Sequence, residues 1–199
     1  MVEKRLFDLF FSILFFFVFF PILLFVALYI AFVDKSSPFY VQERVGKSGK
    51  SFKLIKFRTM KRNCDEDVHI TIGMQDPRIT KTGYFLRKYK MDEMPQLINI
   101  ILGHMSFVGP RPEVKNYVNL YTAEQKKVLL VKPGITSLAS IAFINENEIL
   151  GRTVNPEYTY IHKVMPAKLR LDLEYVNNHS NGKDLIIIFK TLKKIVRKK

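Results

Sequence analysis

Two adjacent carboxylates, Asp92-Glu93, stand in a chain whose surrounding cations suit phosphate chemistry. Arg87 lies five residues before Asp92, and Arg111 follows in Val108-Gly-Pro-Arg-Pro112, a turn braced by two prolines. Lys56 and Arg58 fall in Lys56-Phe-Arg-Thr-Met60. Guanidinium forks match phosphate oxygens in a fixed geometry. One carboxylate can attack phosphorus, and another can hold a divalent cation. Taken alone, Asp92-Glu93 reads as an ordinary helix start, because aspartate caps helices and acids in a first turn suit the dipole. Each cation taken alone reads as a solvated surface charge. Only the combination points to transfer of a phosphoryl group.

Other chemistries find less support. Gly46-Lys-Ser-Gly-Lys-Ser51 contains Gly-Lys-Ser, but a P-loop needs glycine at position 44, where Arg44 stands. His69, His104, His162 and His179 are scattered and lack metal-ligand spacing. No Gly-x-Ser-x-Gly elbow occurs. Cys64 is the single cysteine, so no intrachain disulfide can form. Lys and Arg number 32 against 18 Asp and Glu, a net charge of +14, which calls for an anionic partner. Nucleic acid is not expected, since no recognition motif accompanies the charge.

The elements that must position these residues begin with an anchor. Leu9 to Val33 is an uncharged run of 25 residues bounded by Asp8 and Asp34. As a straight helix it would measure roughly 37 Å, more than the hydrocarbon core of a bilayer. A signal peptide would carry a shorter apolar region and a small-x-small cleavage site. Pro21 interrupts the run, leaving halves of roughly 18 Å, enough to reach the bilayer middle. Basic residues flank both sides: Lys4 and Arg5 before, Lys35, Arg44, Lys47 and Lys50 after. The positive-inside rule wants both flanks in the cytoplasm, which a re-entrant hairpin satisfies and a single crossing does not; a kinked single span is the alternative, since proline is tolerated in membrane helices.

Beyond Ser36 the pattern is that of a water-facing domain. Residues 39–60 predict two strands around Gly46 and Gly49, and residues 61–80 a loop. Residues 83–90 predict a short helix. Another starts over Met91–Pro95 and ends at Gly103, with an apolar body of Leu97, Ile98, Ile100, Ile101 and Leu102. Thr122 to Gln125 has capping-box spacing, and Lys132-Pro-Gly134 ends the helix it opens. Residues 183–199 hold seven basic residues and one acid, with Leu185, Ile188, Phe189, Leu192, Ile195 and Val196 on one helical face. This suits either an interfacial helix on anionic membrane lipid or a terminal helix docked on the core. The fold class is α+β, mostly helical. It comprises a membrane helix-break-helix over 1–35 and a compact cytoplasmic catalytic domain over 36–199, with a small β-hairpin and interfacial amphipathic helices.

In order along nearly the whole chain, the sequence resembles the bacterial sugar transferase family, the small monotopic phosphoglycosyl transferases. The resemblance rests on the apolar hairpin, Val41-Gln-Glu-Arg-Val-Gly46, Phe52-Lys-Leu-Ile-Lys-Phe-Arg-Thr-Met60, Asp76-Pro-Arg-Ile-Thr80 and Phe85-Leu-Arg-Lys88. It continues with Asp92-Glu-Met-Pro-Gln-Leu97, Ser106-Phe-Val-Gly-Pro-Arg-Pro112 and Lys132-Pro-Gly-Ile-Thr136. It implies that Asp92 attacks the sugar-linked phosphorus of a UDP-sugar, UMP leaves, and a polyprenyl phosphate then takes the phosphosugar. It implies Mg2+ at Glu93, and phosphate contacts from Lys56, Arg87 and Arg111; Arg58, two residues from Lys56, is a further candidate phosphate or substrate contact. It further implies the cytoplasmic face of the bacterial inner membrane, a role in starting surface-glycan or glycoprotein synthesis, and a hairpin broken at Pro21; a homodimer is left open. Departures stand at Phe20, where the family has serine before the proline, at Tyr84 in place of a common arginine, and at Ser137-Leu-Ala-Ser140 in place of Gly-Trp-Ala-Gln. The last suggests a subgroup with its own sugar or nucleotide fit. Direct transfer without a covalent intermediate, and a non-enzymatic membrane scaffold, are the competing readings.

Overall fold

The computed structural model describes residues 2–61 and 76–197. Most of the expected 61–80 loop, with Cys64 and His69, lies outside them. Helix α1 (Val2–Val33) is long and apolar enough to cross a membrane, and only 11% of its most apolar stretch is buried. Phe17, Phe25 and Phe32 are each at least two-thirds exposed. The expected pair of half-helices broken at Pro21 is not what α1 shows: it is helical throughout, Pro21 included. A proline deletes one backbone bond, and the residues on either side carry the helix past it.

Both ends of α1 are bonded to the rest of the chain. Lys4 pairs with Asp184 and reaches the Tyr175 hydroxyl at 3.3 Å. The Arg5 guanidinium donates to the carbonyls of Ile100 and Ile101 at 2.6 and 2.9 Å, satisfying the end of a neighbouring helix. Asp8 is buried and accepts from the Ser106 hydroxyl and the Phe107 amide. At the far end Asp34 accepts from the Thr80 and Thr82 hydroxyls, each at 3.1 Å.

Strands β1 (Phe39–Val45) and β2 (Ser51–Phe57) form the expected antiparallel hairpin, with Lys56 opposite Tyr40. Gly49 at the turn takes a φ of +76°, which favours glycine. Helix α2 (Lys81–Lys88) begins at Thr80, whose hydroxyl accepts from the Gly83 amide. A single 3-10 turn at Met91–Glu93 precedes α3 (Gln96–Ile101). Then come β3 (Ser106–Val108), α4 (Lys115–Val118) and β4 (Gly134–Thr136), with β3 and β4 parallel. The capping box forms as its spacing predicts: the Gln125 side chain accepts from the Thr122 amide and the Thr122 hydroxyl from the Gln125 amide. The turns it opens over Gln125–Leu130 are 3-10 in type.

The remaining helices are α5 (Leu138–Ala142), α6 (Glu146–Gly151), α7 (Pro156–Thr159), α8 (Met165–Asn178) and α9 (Asn181–Arg197). A π-helical turn at Tyr160–Val164 joins α7 to α8. The largest apolar cluster gathers Val45, Tyr117, Tyr121, Leu150, Val164 and Leu169. A second packs Leu23, Val26 and Ile30 of α1 against Phe57 and Leu86. The hairpin and α2, which carry Lys56 and Arg87, are thus seated on the apolar helix.

Candidate active site

The 3-10 turn that carries Asp92 and Glu93 exists because of what brackets it. Lys90 adopts a left-handed φ of 58°, turning the chain out of α2. Pro95 has no amide hydrogen, so α3 begins only after it. Asp92 is therefore not the cap of a long apolar helix; its Oδ1 is buried with no hydrogen-bond partner among the described residues. An unpaired buried carboxylate oxygen is costly and marks a group held for something else.

Glu93 has the opposite surroundings. Arg111 grips it with both terminal nitrogens, at 2.5 and 3.3 Å, and Lys56 Nζ stands 3.7 Å away. The neighbours are positioned from separate elements. Asn99 on α3 accepts from the Ile55 amide at 3.0 Å and donates to the Lys53 carbonyl at 2.7 Å, tying α3 to the strand that presents Lys56. Arg111 follows a close crossing of β3 and β4, where a Cβ on Gly109 would meet the Lys132 carbonyl oxygen at 2.3 Å. Arg87 is fixed by its Nε bond to the Thr59 hydroxyl at 2.8 Å. Behind Arg111, Asp172 is buried beside the Ser137 hydroxyl and the Arg111 and Ala139 amides, and burial pushes its carboxyl up to about 6.

The two site carboxyls are pulled apart in acidity. Burial, and then the adjacent Glu93 charge, raise Asp92 above the usual carboxylate range. Glu93 is held well below that range because Arg111 and Lys56 overcome the effect of its burial. Burial lowers Lys56 to about 8, with Glu93 opposing and Arg111 and Arg44 reinforcing the drop. Arg87 is also lowered by burial, against the attraction of Asp92.

These side chains line one cleft of about 510 Å³. Lys56, Arg87, Asp92, Glu93 and Arg111 are brought together there. Arg58, expected among them, does not line it. The chain leaves β2 at Phe57, and Arg58 donates instead to the carbonyls of Ser37 and Phe39 at 3.0 and 3.4 Å. Pro21 lies in α1, not in the cleft.

The cleft also has walls that sequence reasoning missed. Phe143 to Glu148 forms one of them, and Lys168 of α8 closes it through an ion pair with Glu146 at 2.6 Å. Nothing in the spacing of Asn145-Glu-Asn-Glu148 separates it from an exposed helix start; the one available signal was the departure just upstream at Ser137–Ser140, whose Ser140 does line the cleft. Tyr84, another of the departures, lines it too, whereas Phe20 lies in α1.

The model of the bacterial sugar transferase family matches residues 1–198. The chain belongs to that family. The transferase is 36% identical over 206 residues to the exopolysaccharide production protein ExoY of Sinorhizobium fredii, covering 96% of this chain and 84% of that one. It is 37% identical over 196 residues to the uncharacterized sugar transferase EpsL of Bacillus subtilis, covering 98% and 88%. It is 38% identical over 195 residues to the UDP-glucose:undecaprenyl-phosphate glucose-1-phosphate transferase of Klebsiella pneumoniae, covering 96% of this chain but 40% of that longer protein. By family and relatives it is a phosphoglycosyl transferase.

Proposed function

We propose that this transferase moves a sugar phosphate from a UDP-sugar to undecaprenyl phosphate through a covalent bond to Asp92. The observation that carries the reading is the unpartnered buried Oδ1 of Asp92 in a cleft that also holds Lys56, Arg87 and Arg111. The Klebsiella relative and an Aeromonas hydrophila UDP-N-acetylgalactosamine-undecaprenyl-phosphate N-acetylgalactosaminephosphotransferase, 32% identical over 160 residues, supply the donor and acceptor class.

In the first step an Asp92 oxygen attacks the phosphorus that bears the sugar. A phosphorus–oxygen bond to Asp92 forms, the bond to the bridging diphosphate oxygen breaks, and UMP departs with that electron pair. In the second step an oxygen of the lipid phosphate attacks the same phosphorus, and the Asp92 carboxylate leaves. Splitting the transfer this way replaces one difficult displacement with two easier ones. The cations neutralise charge on the equatorial oxygens, where such transition states need it. Fixing Glu93 with Arg111 keeps the second carboxylate charged while Asp92 remains the free nucleophile.

Mg2+ fits this donor set. A carboxylate offers about four acceptor positions. Arg111 and Lys56 account for three contacts on Glu93, so Glu93 retains room for a hard cation that takes its other ligands from phosphate and water. Bound there, Mg2+ would neutralise the diphosphate.

The same reading puts α1 in one leaflet as a re-entrant helix on the cytoplasmic face of the bacterial inner membrane. Supporting it, Lys4, Arg5 and Asp8 at one end and Asp34 at the other all bond to the polar domain, although residues between them are exposed and apolar. A helix crossing a bilayer could not bring both ends to one domain on one side.

The covalent step is tested with labelled UDP-sugar and no lipid. The expected result is one burst of UMP with the label retained on Asp92, and no adduct in Asp92→Asn. UMP release that strictly requires lipid, without an adduct, would establish direct transfer instead. Thiol labelling of cysteines placed at positions 2 and 36 should report the same membrane side for both; opposite sides would rule out re-entry.

A further inference from the structure

Helix α9 presents three different faces. Asp184 and Ile187 are buried, while Leu185, Phe189, Leu192 and Val196 are each more than half exposed. Their spacing of four, three and four residues aligns them in one apolar stripe. Beside the stripe run Lys190, Lys193, Lys194 and Arg197, which line a groove of about 550 Å³ closed on its other side by Ile141, Ile144 and Asn145. Among the described residues, no carboxylate lines this groove.

The helix is anchored at two functionally different places. Its first turn is held to the start of α1, because Asp184 pairs with Lys4 and accepts from the Tyr175 hydroxyl at 2.7 Å. Farther along, Thr191 and Thr136 hydroxyls bond at 2.7 Å, and Lys194 donates to the Ile141 carbonyl at 2.5 Å. Ile144 and Asn145 line both this groove and the Asp92 cleft. A helix of this length spans roughly 25 Å. It therefore runs from the start of the exposed apolar helix to the lip of the catalytic cleft.

We propose that the groove between α9 and residues 141–145 is the entry site for the lipid phosphate. Lys190, Lys193 and Arg197 hold its phosphate monoester, and the hydrocarbon chain lies along Leu185, Phe189, Leu192 and Val196. The phosphate then passes Asn145 to reach Asp92. This rests on the transfer reading above and deepens it. A separate cationic site lets the second anionic substrate wait while the first fills the cleft. A second copy of the chain is the poorer occupant of the stripe, since a two-fold seam there would bring the two basic edges towards each other.

The test uses the full chain in vesicles of neutral phosphatidylcholine, with undecaprenyl phosphate as the varied substrate. In the triple variant Lys190→Gln, Lys193→Gln, Arg197→Gln, the KM for the lipid should rise about tenfold, as expected for losing several cations from one phosphate site. The KM for the UDP-sugar should stay within about twofold, because that substrate is held by other side chains. Restoring charge with arginine at 190 and 193 should recover most of the lipid KM, which excludes misfolding as the cause. An unchanged lipid KM overturns the proposal. So does a defect seen only when anionic lipid is added to the vesicles, which would make the edge a general membrane contact. Conversion of a dimer to a monomer by Phe189→Ser with Leu192→Ser would make the stripe a subunit seam and overturn it as well. Wild-type protein that makes no lipid-linked product overturns the parent reading too; a competent wild type with an unaffected variant overturns this one alone.

Discussion

Replacing Arg111 with glutamine isolates what holds the two carboxylates apart. Glu93 is 9% exposed at its side chain and Arg111 32%, so the pair is buried on one side and wetted on the other. Breaking a fully buried pair costs about 3–5 kcal/mol, and partial exposure of the guanidinium reduces that to about 2–3 kcal/mol. For a chain of this size the loss lowers the melting temperature by about 5–10 °C. The pH dependence distinguishes this from a general packing defect. In the wild type the Glu93 carboxyl lies below its ordinary value, so it contributes stability above the unfolded-state pKa and loses it as pH falls. In Arg111→Gln burial dominates and raises the same carboxyl, so holding it charged now costs stability. The deficit of the variant should therefore be larger near about pH 8 than near about pH 5. Adding Glu93→Gln removes the stranded charge and should return about 1–2 kcal/mol. Thermal unfolding of the wild type, Arg111→Gln and the double variant in one membrane mimetic at both pH values measures all of these quantities. A double variant no more stable than Arg111→Gln, or a deficit that ignores pH, would refute the account of Glu93 as an anion kept charged by Arg111.

Four further outcomes are expected. Because burial brings Lys56 to about 8, the KM for UDP-sugar should rise as pH climbs through that value, and Lys56→Arg, which stays charged, should flatten the rise in a pH–KM profile. Gly83→Ala would put a Cβ 2.0 Å from the Thr59 carbonyl oxygen, so α2 must shift, and a melting scan should show a loss of about 2–4 kcal/mol along with loss of Arg87 function. Arg58→Gln should leave both KM values within about threefold, since its guanidinium is engaged with Ser37 and Phe39 rather than the cleft; steady-state kinetics decide. Pro21→Leu restores a backbone donor in the apolar helix and should shift part of the population to a full span, read as accessibility of a cysteine at position 2 from the far side.

The legibility of this protein varied with the range of the interactions involved. The hairpin was readable because Gly46 and Gly49 punctuate two apolar runs, and the Thr122–Gln125 box because its partners are three residues apart. The Asp92-Glu93 pair was readable as chemistry only beside distant cations, and three of the four came to the same cleft. Arg58 lies outside the cleft because the strand that carries Lys56 ends at Phe57, and its guanidinium turns to the carbonyls of Ser37 and Phe39. The helix expected to start at Met91 begins later because Pro95 has no amide hydrogen to donate. The Glu146–Lys168 wall was invisible, since residues 22 apart meet only through the packing of α6 and α8.

The bonds at the two ends of α1 also impose an order in time. Asp34 meets its threonine partners within 48 residues of chain, but Lys4 must await Asp184, 180 residues later. During synthesis one end of the apolar helix can be claimed early while the other stays unclaimed until Asp184 has been made. On the re-entrant reading, membrane topology is then decided twice: provisionally by the apolar run as it partitions into lipid, and finally by α9, which closes on α1.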